Sequence, residues 1–219
     1  MQSGFQAFLM MGTLSLMVGA CSILGGKAAE EPAHRVVLKD GVFQIREYGT
    51  YAVAETVVKK SFEAATREGF RLLFNYISGA NRGESKIDMT APVLVAPERV
   101  TMTASPRRAR DALARLDDAA TGWTIAFVLP EGVTAGTAPR PANDRVALRD
   151  VPARRVAVIR FAGFFRQAVA ETKRRELVAW LKVRGLAHRG DWRMAGYNPP
   201  WTLPSLRRNE VIVTLDANY

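Results

Sequence analysis

The chain has 219 residues, 48% hydrophobic and 24% charged, which suits one substantial globular domain and excludes a disordered chain. A single cysteine and two histidines exclude an intrachain disulfide, a two-cysteine redox motif and a cysteine- or histidine-rich metal cluster. The formal net charge of +10 fits either a solvated basic surface or attraction to anionic lipid headgroups.

Residues 5–20 are apolar or small almost throughout and carry no charge. With its Gly and Ser interruptions the stretch falls short of a membrane span of about 20 apolar residues, but it has the length of a signal-peptide hydrophobic region. It ends in Val18-Gly19-Ala20-Cys21, which resembles the lipobox of bacterial lipoproteins. There an aliphatic residue and two small ones admit the peptidase, and the cysteine thiol takes the lipid. Several acyl chains at Cys21 make a stable lipid anchor. Residues 1–4 contain no Lys or Arg, a departure from the usual basic start. Ser22 rather than an aspartate follows the cysteine, which in a Gram-negative host favours the outer membrane. The expectation is an exported, membrane-anchored lipoprotein facing the periplasm or the cell surface. Residues 1–20 are its signal peptide, 21–35 a tether and 36–219 the folded domain. The alternative is an ordinary buried apolar segment with a chance cysteine.

From Val36 onward the chain reads twice. Alternation predicts strands at Phe43-Gln44-Ile45-Arg46-Glu47 and from Tyr51 to Val58, with a turn at Gly49 between them. A helix follows, with Ser61 as N-cap, Glu63 in its first turn and Gly79 at its stop. Phe70, Leu73, Phe74 and Ile77 fall at helical spacing as one apolar stripe. Further strands are predicted at 86–95 and 123–129. Residues 105–120 read as a short amphipathic helix or mobile insert with Leu113 and Leu116 as its large apolar residues. The Pro- and Gly-rich stretch 130–143 reads as a connector. The second pass opens at Val146, where Leu148-Arg149-Asp150 answers Ile45-Arg46-Glu47 and Pro152 answers Gly49. Val156 opens its second strand, and a basic helix spans about 165–184, with Leu177, Trp180 and Leu181 on one face and Gly185 ending it. His188 is predicted in the turn after that helix, and a last strand at 210–215. Two strand-rich units with one long helix each predict an α+β domain.

Five blocks resemble the signature of the SOUL haem-binding protein family. They are Ile45-Arg46-Glu47-Tyr48-Gly49, Tyr76 to Asn81, Lys86 to Val93, Ala195 to Pro200, and Arg208-Asn209-Glu210-Val211, in the family's order. The resemblance runs from about Val36 to the C-terminus. It implies a pseudo-twofold distorted β-barrel or antiparallel sheet flanked by two helices. It also implies binding of haem or a related tetrapyrrole, and no catalytic activity shared by all members. Carried over position by position, the haem cleft along the first helix places Arg67 as a propionate partner and Phe70 and Phe74 beside the porphyrin. Asn75 falls where some relatives have a basic residue. Core packing remains the alternative role for Phe70 and Phe74, because a cleft-facing and a core-facing stripe share one period; for Arg67 the alternative is a solvated helix charge.

Members that ligate iron through histidine carry it at the position of Glu47, and a carboxylate is a poor haem ligand. The resemblance therefore implies binding by hydrophobic contact and propionate pairing. His34 falls in the tether and His188 in a turn. Tyr48 and Tyr51 offer oxygen ligands in principle but read as strand packing. The Met89-Thr90-Ala91-Pro92 block reads as serving the fold, and Asn198 and Glu210 as candidates for buried hydrogen bonds across the halves. Three functions stay open: a tetrapyrrole-binding envelope lipoprotein, an enzyme acting on a tetrapyrrole, and a module that kept the fold but changed its ligand or partner. The residues contain no nucleophile elbow and no Cys–His pair, and the first reading is preferred. A nucleic-acid partner is not expected of an exported domain.

Overall fold

A computed structural model describes residues 29–98 and 122–216. The lipobox-like stretch with Cys21 and the segment 105–120 lie outside the described residues. The elements are β1 (His34–Asp40), β2 (Phe43–Tyr48), β3 (Tyr51–Val58), α1 (Phe62–Ile77), β4 (Val93–Pro97) and β5 (Trp123–Val128). The second pass supplies β6 (Ala147–Val151), β7 (Arg154–Phe161), α2 (Gln167–Val183), β8 (His188–Gly196) and β9 (Asn209–Leu215).

All nine strands form one antiparallel sheet, in the order β1-β2-β7-β9-β8-β4-β5-β3-β6. The sheet does not close: β1 and β6 are its edges. The order mirrors the duplication about the β8–β4 pair. It also shows that the two units exchange their first strands. β2 pairs with β7, and β6 pairs with β3. A two-residue link such as Gly49-Thr50 ordinarily closes a hairpin. Here it instead crosses to the other half, and Tyr48 lies opposite Arg154 while Tyr51 lies opposite Val151. Neither half completes its sheet without a strand from the other.

Three elements differ from expectation. Lys86 to Pro92 is loop, and the strand there is confined to Val93–Pro97. The loop's polar groups bond elsewhere, Ile87 N to the Ile77 carbonyl and Thr90 Oγ1 to the Val128 carbonyl, and Pro92 has no N–H for a ladder. β8 occupies the place read as a turn. Its opening holds Gly190 at φ 78° and a register shift between His188 and Trp192, so the alternation is broken where a strand signal would be sought. His34, read as part of the tether, opens β1 and lies opposite Tyr48.

One face of the sheet carries the larger core and both helices. α2 buries Ala170, Leu177, Trp180 and Leu181. Trp180 stacks on Phe43 at 5.0 Å and donates its indole N–H to Asp40 at 2.9 Å, which ties the helix to β1 and β2. α1 lies on β3 and β5 and buries Phe62, Ala65, Gly69, Leu73, Tyr76 and Ile77. Gly69 sets how close it comes, because a Cβ there would stand 2.8 Å from Ile125 Cβ. The predicted stripe is therefore divided: Leu73 and Ile77 face the sheet, while Phe70 and Phe74 turn outward.

The sheet curls about its other face. Tyr48, Val53, Leu94, Val128, Val151, Val156, Val158 and Ile212, drawn from both halves, form a second apolar cluster there. Within this concave face Arg46 and Glu210 make a two-pronged ion pair, Nη1 to Oε2 and Nη2 to Oε1, both at 2.8 Å. Their side chains are 3% and 0% exposed. Tyr197 Oη donates to Glu210 Oε2 at 2.7 Å, and Arg208 Nε donates to Oε1 at 3.0 Å. Arg46 Nε donates to Gln44 at 2.7 Å. Glu210 thus meets the expectation of a buried cross-unit bond. Asn198 does not: it is exposed and accepts a local hydrogen bond from Arg208 N.

Removing one partner of a buried pair strands the other charge, so Glu210→Ala should cost about 3–5 kcal/mol in denaturant unfolding. Burial raises the Glu210 carboxyl pKa, but hydrogen bonding and charge from Arg46, joined by Arg208 and Tyr197, outweigh it and hold the pKa below the ordinary carboxylate value. The folded pKa is therefore depressed. The matching stability is complete above the ordinary carboxylate range, is lost as pH falls through the folded pKa, and this acid-side loss should be smaller in Glu210→Gln. Gly69→Ala should destabilise by about 1–3 kcal/mol in denaturant unfolding despite its better helix propensity, because the added Cβ meets Cβ and Cγ1 of Ile125.

Candidate functional site

The outward face of α1 gathers the residues singled out from the sequence. Phe70 and Phe74, one turn apart, stack at 5.9 Å with an 11° interplanar angle. They are 37% and 47% exposed and so lie outside the buried core. Phe70 sets its edge against Phe127 of β5 at 5.2 Å, and this anchors the pair to the sheet. Arg67 and Asn75 flank the rings and are exposed. Arg71, on the same face, was not singled out from the sequence; it had no motif to mark it. Arg67 and Arg71 form no ion pair among the described residues. The adjacent acid does not neutralise them: hydrogen bonds from Lys60 and Arg145 occupy the Glu68 carboxylate and hold its pKa at about 2. Chemically, this is a flat aromatic shelf edged by uncommitted guanidinium charge. Such a surface suits a planar apolar ligand bearing carboxylates.

The structure does not bring Glu47 to this shelf. Glu47 sits on β2, beside β7 and within the half of the sheet that α2 covers. It pairs with Arg155 and with Arg35, whose hydrogen bonds lower its pKa. The histidines are not there either. His34 lies on β1 with its ring 4.9 Å from Tyr48, and His188 Nδ1 accepts from Gly190 N at the start of β8. Tyr48 packs in the concave cluster, and Tyr51 borders it. Among the described residues no group of three or more His, Cys, Asp or Glu could hold a metal ion, and no helix is long and apolar enough to cross a membrane. A small space within the concave face and a larger cleft where the ends of β2, β7, β8 and β9 meet are both lined without a residue of α1.

A strand-exchanged, duplicated α+β sheet with one helix per half, and an aromatic shelf on the first helix, define a ligand-binding domain. The sequence profile of the SOUL heme-binding protein family matches residues 29–214, and the chain belongs to that family. Heme-binding protein 2 from Homo sapiens is 35% identical over 80 residues, which are 34% of this chain and 39% of that protein. The match therefore spans well under half of that relative. Membership of the family supports haem as a bound ligand. Among solved structures, the C-terminal domain of EcmrR is similar at a TM-score of 0.55, with 10% identity over 80% of this chain and 96% of that one. A hydrolase from Listeria innocua has a TM-score of 0.50, with 12% identity over 80% of this chain and 91% of that one. At such identities the likeness is one of fold alone.

Proposed function

We propose that this protein binds haem or a related tetrapyrrole on the outward face of α1, without a histidine ligand to iron and without a catalytic step. The stacked, exposed Phe70–Phe74 pair beside an uncommitted Arg67 carries this reading. Contiguous exposed aromatic surface of this kind is a common mark of a binding site. Haem supplies an apolar macrocycle for the rings and two propionates for Arg67 and Arg71. Asn75 offers hydrogen bonds but no charge, so the propionates rely on the arginines. Glu47 is committed to Arg35 and Arg155 in the other half of the sheet, and this supports a mode that does not use the position where some relatives ligate iron.

The second component of the proposal is placement at the cell envelope through a lipid on Cys21. It rests on the lipobox-like Val18-Gly19-Ala20-Cys21 and on the net charge of +10, which favours an anionic membrane surface.

Titrating the full-length chain with haem should give a saturable one-to-one change in the Soret region. Arg67→Ala combined with Phe70→Ala should weaken it by about tenfold or more, the equivalent of about 1.4 kcal/mol. Unchanged affinity in a folded double variant would remove these residues from the site. Band positions should show no imidazole ligation, and replacing either histidine should leave the spectrum unaltered. In the native host, Cys21→Ala should shift the chain out of the membrane fraction; a variant that stays membrane-bound would sink the anchor.

A further inference from the structure

Beyond the Arg46–Glu210 pair, the concave face holds a second group of charges that the haem reading does not use. Arg149 of β6 is satisfied by Glu55 of β3 through bonds of 2.9 and 2.7 Å. Arg154 of β7 and Arg193 of β8 are not satisfied in the same way. Arg154 donates to the Tyr51 hydroxyl, but its Nε is buried with no acceptor. The Arg193 side chain is 15% exposed, and among the described residues its one ion pair is with Asp191 at 3.7 Å, beyond hydrogen-bond reach. Asp191 Oδ2 also accepts from Thr214 at 3.1 Å. Burial, and then the like charge of Arg154, push the Arg193 pKa down. Arg154 Nε is thus enclosed without an acceptor, which is costly, while the Arg193 nitrogens keep some contact with solvent.

Both arginines line an inner space of about 10 Å³, walled by Leu94, Val128 and Ile212. That volume admits about one water-sized group. Tyr48 and Arg154 also line an outer cleft of about 570 Å³, so the two spaces share a wall. The cleft falls within the range of about 300–1,000 Å³ that small-molecule sites occupy. Its other charges are Glu47, which pairs with Arg155, Asp216, which lies 3.7 Å from Arg189, and Asp191, which lies 3.7 Å from Arg193.

We infer that this cleft binds an organic oxyanion, a carboxylate or a phosphate ester, with one oxygen held between Arg154 and Arg193 and the rest of the molecule in the outer cleft. The inner volume limits what enters to a single oxygen, and the apolar wall disfavours a free hydrated ion. No residue of α1 lines the site, so it stands or falls separately from haem binding.

The test is calorimetric titration of the full-length chain with 1-naphthyl phosphate and 1-naphthoate, with 1-naphthol as the uncharged control. At least one anion should bind saturably at one-to-one stoichiometry, and which one does so distinguishes phosphate from carboxylate. 1-Naphthol should not bind. Arg193→Met should weaken the anion by about tenfold or more, whereas Arg67→Ala with Phe70→Ala should leave it unchanged. Without ligand, Arg193→Met should melt no lower than wild type, because it removes a buried charge that lacks a hydrogen-bonded partner; an arginine serving only the scaffold would lower Tm. In wild type, the side-chain Nε–H resonances of Arg154 and Arg193 should move on titration, a readout that needs no variant. Absence of binding by both anions, equal binding of 1-naphthol, or arginine resonances unmoved at saturation would overturn the proposal.

Discussion

Arg46 and Glu210 are 164 residues apart in the chain, yet each is the other's main acceptor or donor inside the concave face. A guanidinium and a carboxylate removed from water must find each other, and the two-pronged geometry allows little tolerance in strand position. β2 comes from the first unit and β9 from the second. Their pairing therefore fixes β2 on the far side of β7 and holds the two units in their exchanged arrangement. Tyr197 and Arg208 complete the acceptor side, and the apolar cluster around Tyr48, Val156 and Ile212 keeps water away. The network is a constraint on topology more than a source of net stability, since well-packed apolar groups of similar volume can replace such pairs without loss.

That arrangement decides where ligands can go. Strand exchange leaves each helix on its own half of one continuous sheet, α1 over β3 and β5 and α2 over β7 and β9. Gly69 lets α1 settle onto Ile125, and the same rotation that buries Leu73 and Ile77 turns Phe70 and Phe74 outward. The aromatic shelf is thus a by-product of close helix–sheet contact at one glycine. Arg67 and Arg71 remain uncommitted because Glu68 is held on the other flank by Lys60 and Arg145.

The two faces of the sheet offer different chemistry. The α1 face presents exposed aromatic area with charge at its edge, suited to a planar ligand that sits on the surface. The concave face presents the Arg154 and Arg193 guanidinium groups around a small inner space beside a cleft, suited to the end of a small anion.

By itself the sequence determined the class of fold, both helices, most strands, the duplication and the family, because these follow from local periodicity and from blocks that keep their order along the chain. The family resemblance also pointed to Arg67, Phe70, Phe74 and Asn75 along the first helix, and Glu210 was marked as a candidate for a buried hydrogen bond. The sequence did not separate a core stripe from a ligand stripe on α1, since Leu73 and Phe74 are adjacent and both are apolar at helical spacing. Strand β8 escaped notice because Gly190 and the register shift break its alternation. Only the tertiary structure decided that β2 pairs with β7 rather than with β3, that Arg46 is the partner of Glu210, that Glu47 lies away from the α1 face, and that Arg154 and Arg193 share a cavity. Each of these depends on contacts between residues distant in the chain, where no local pattern distinguishes one antiparallel partner from another and burial of charge selects the arrangement that satisfies it.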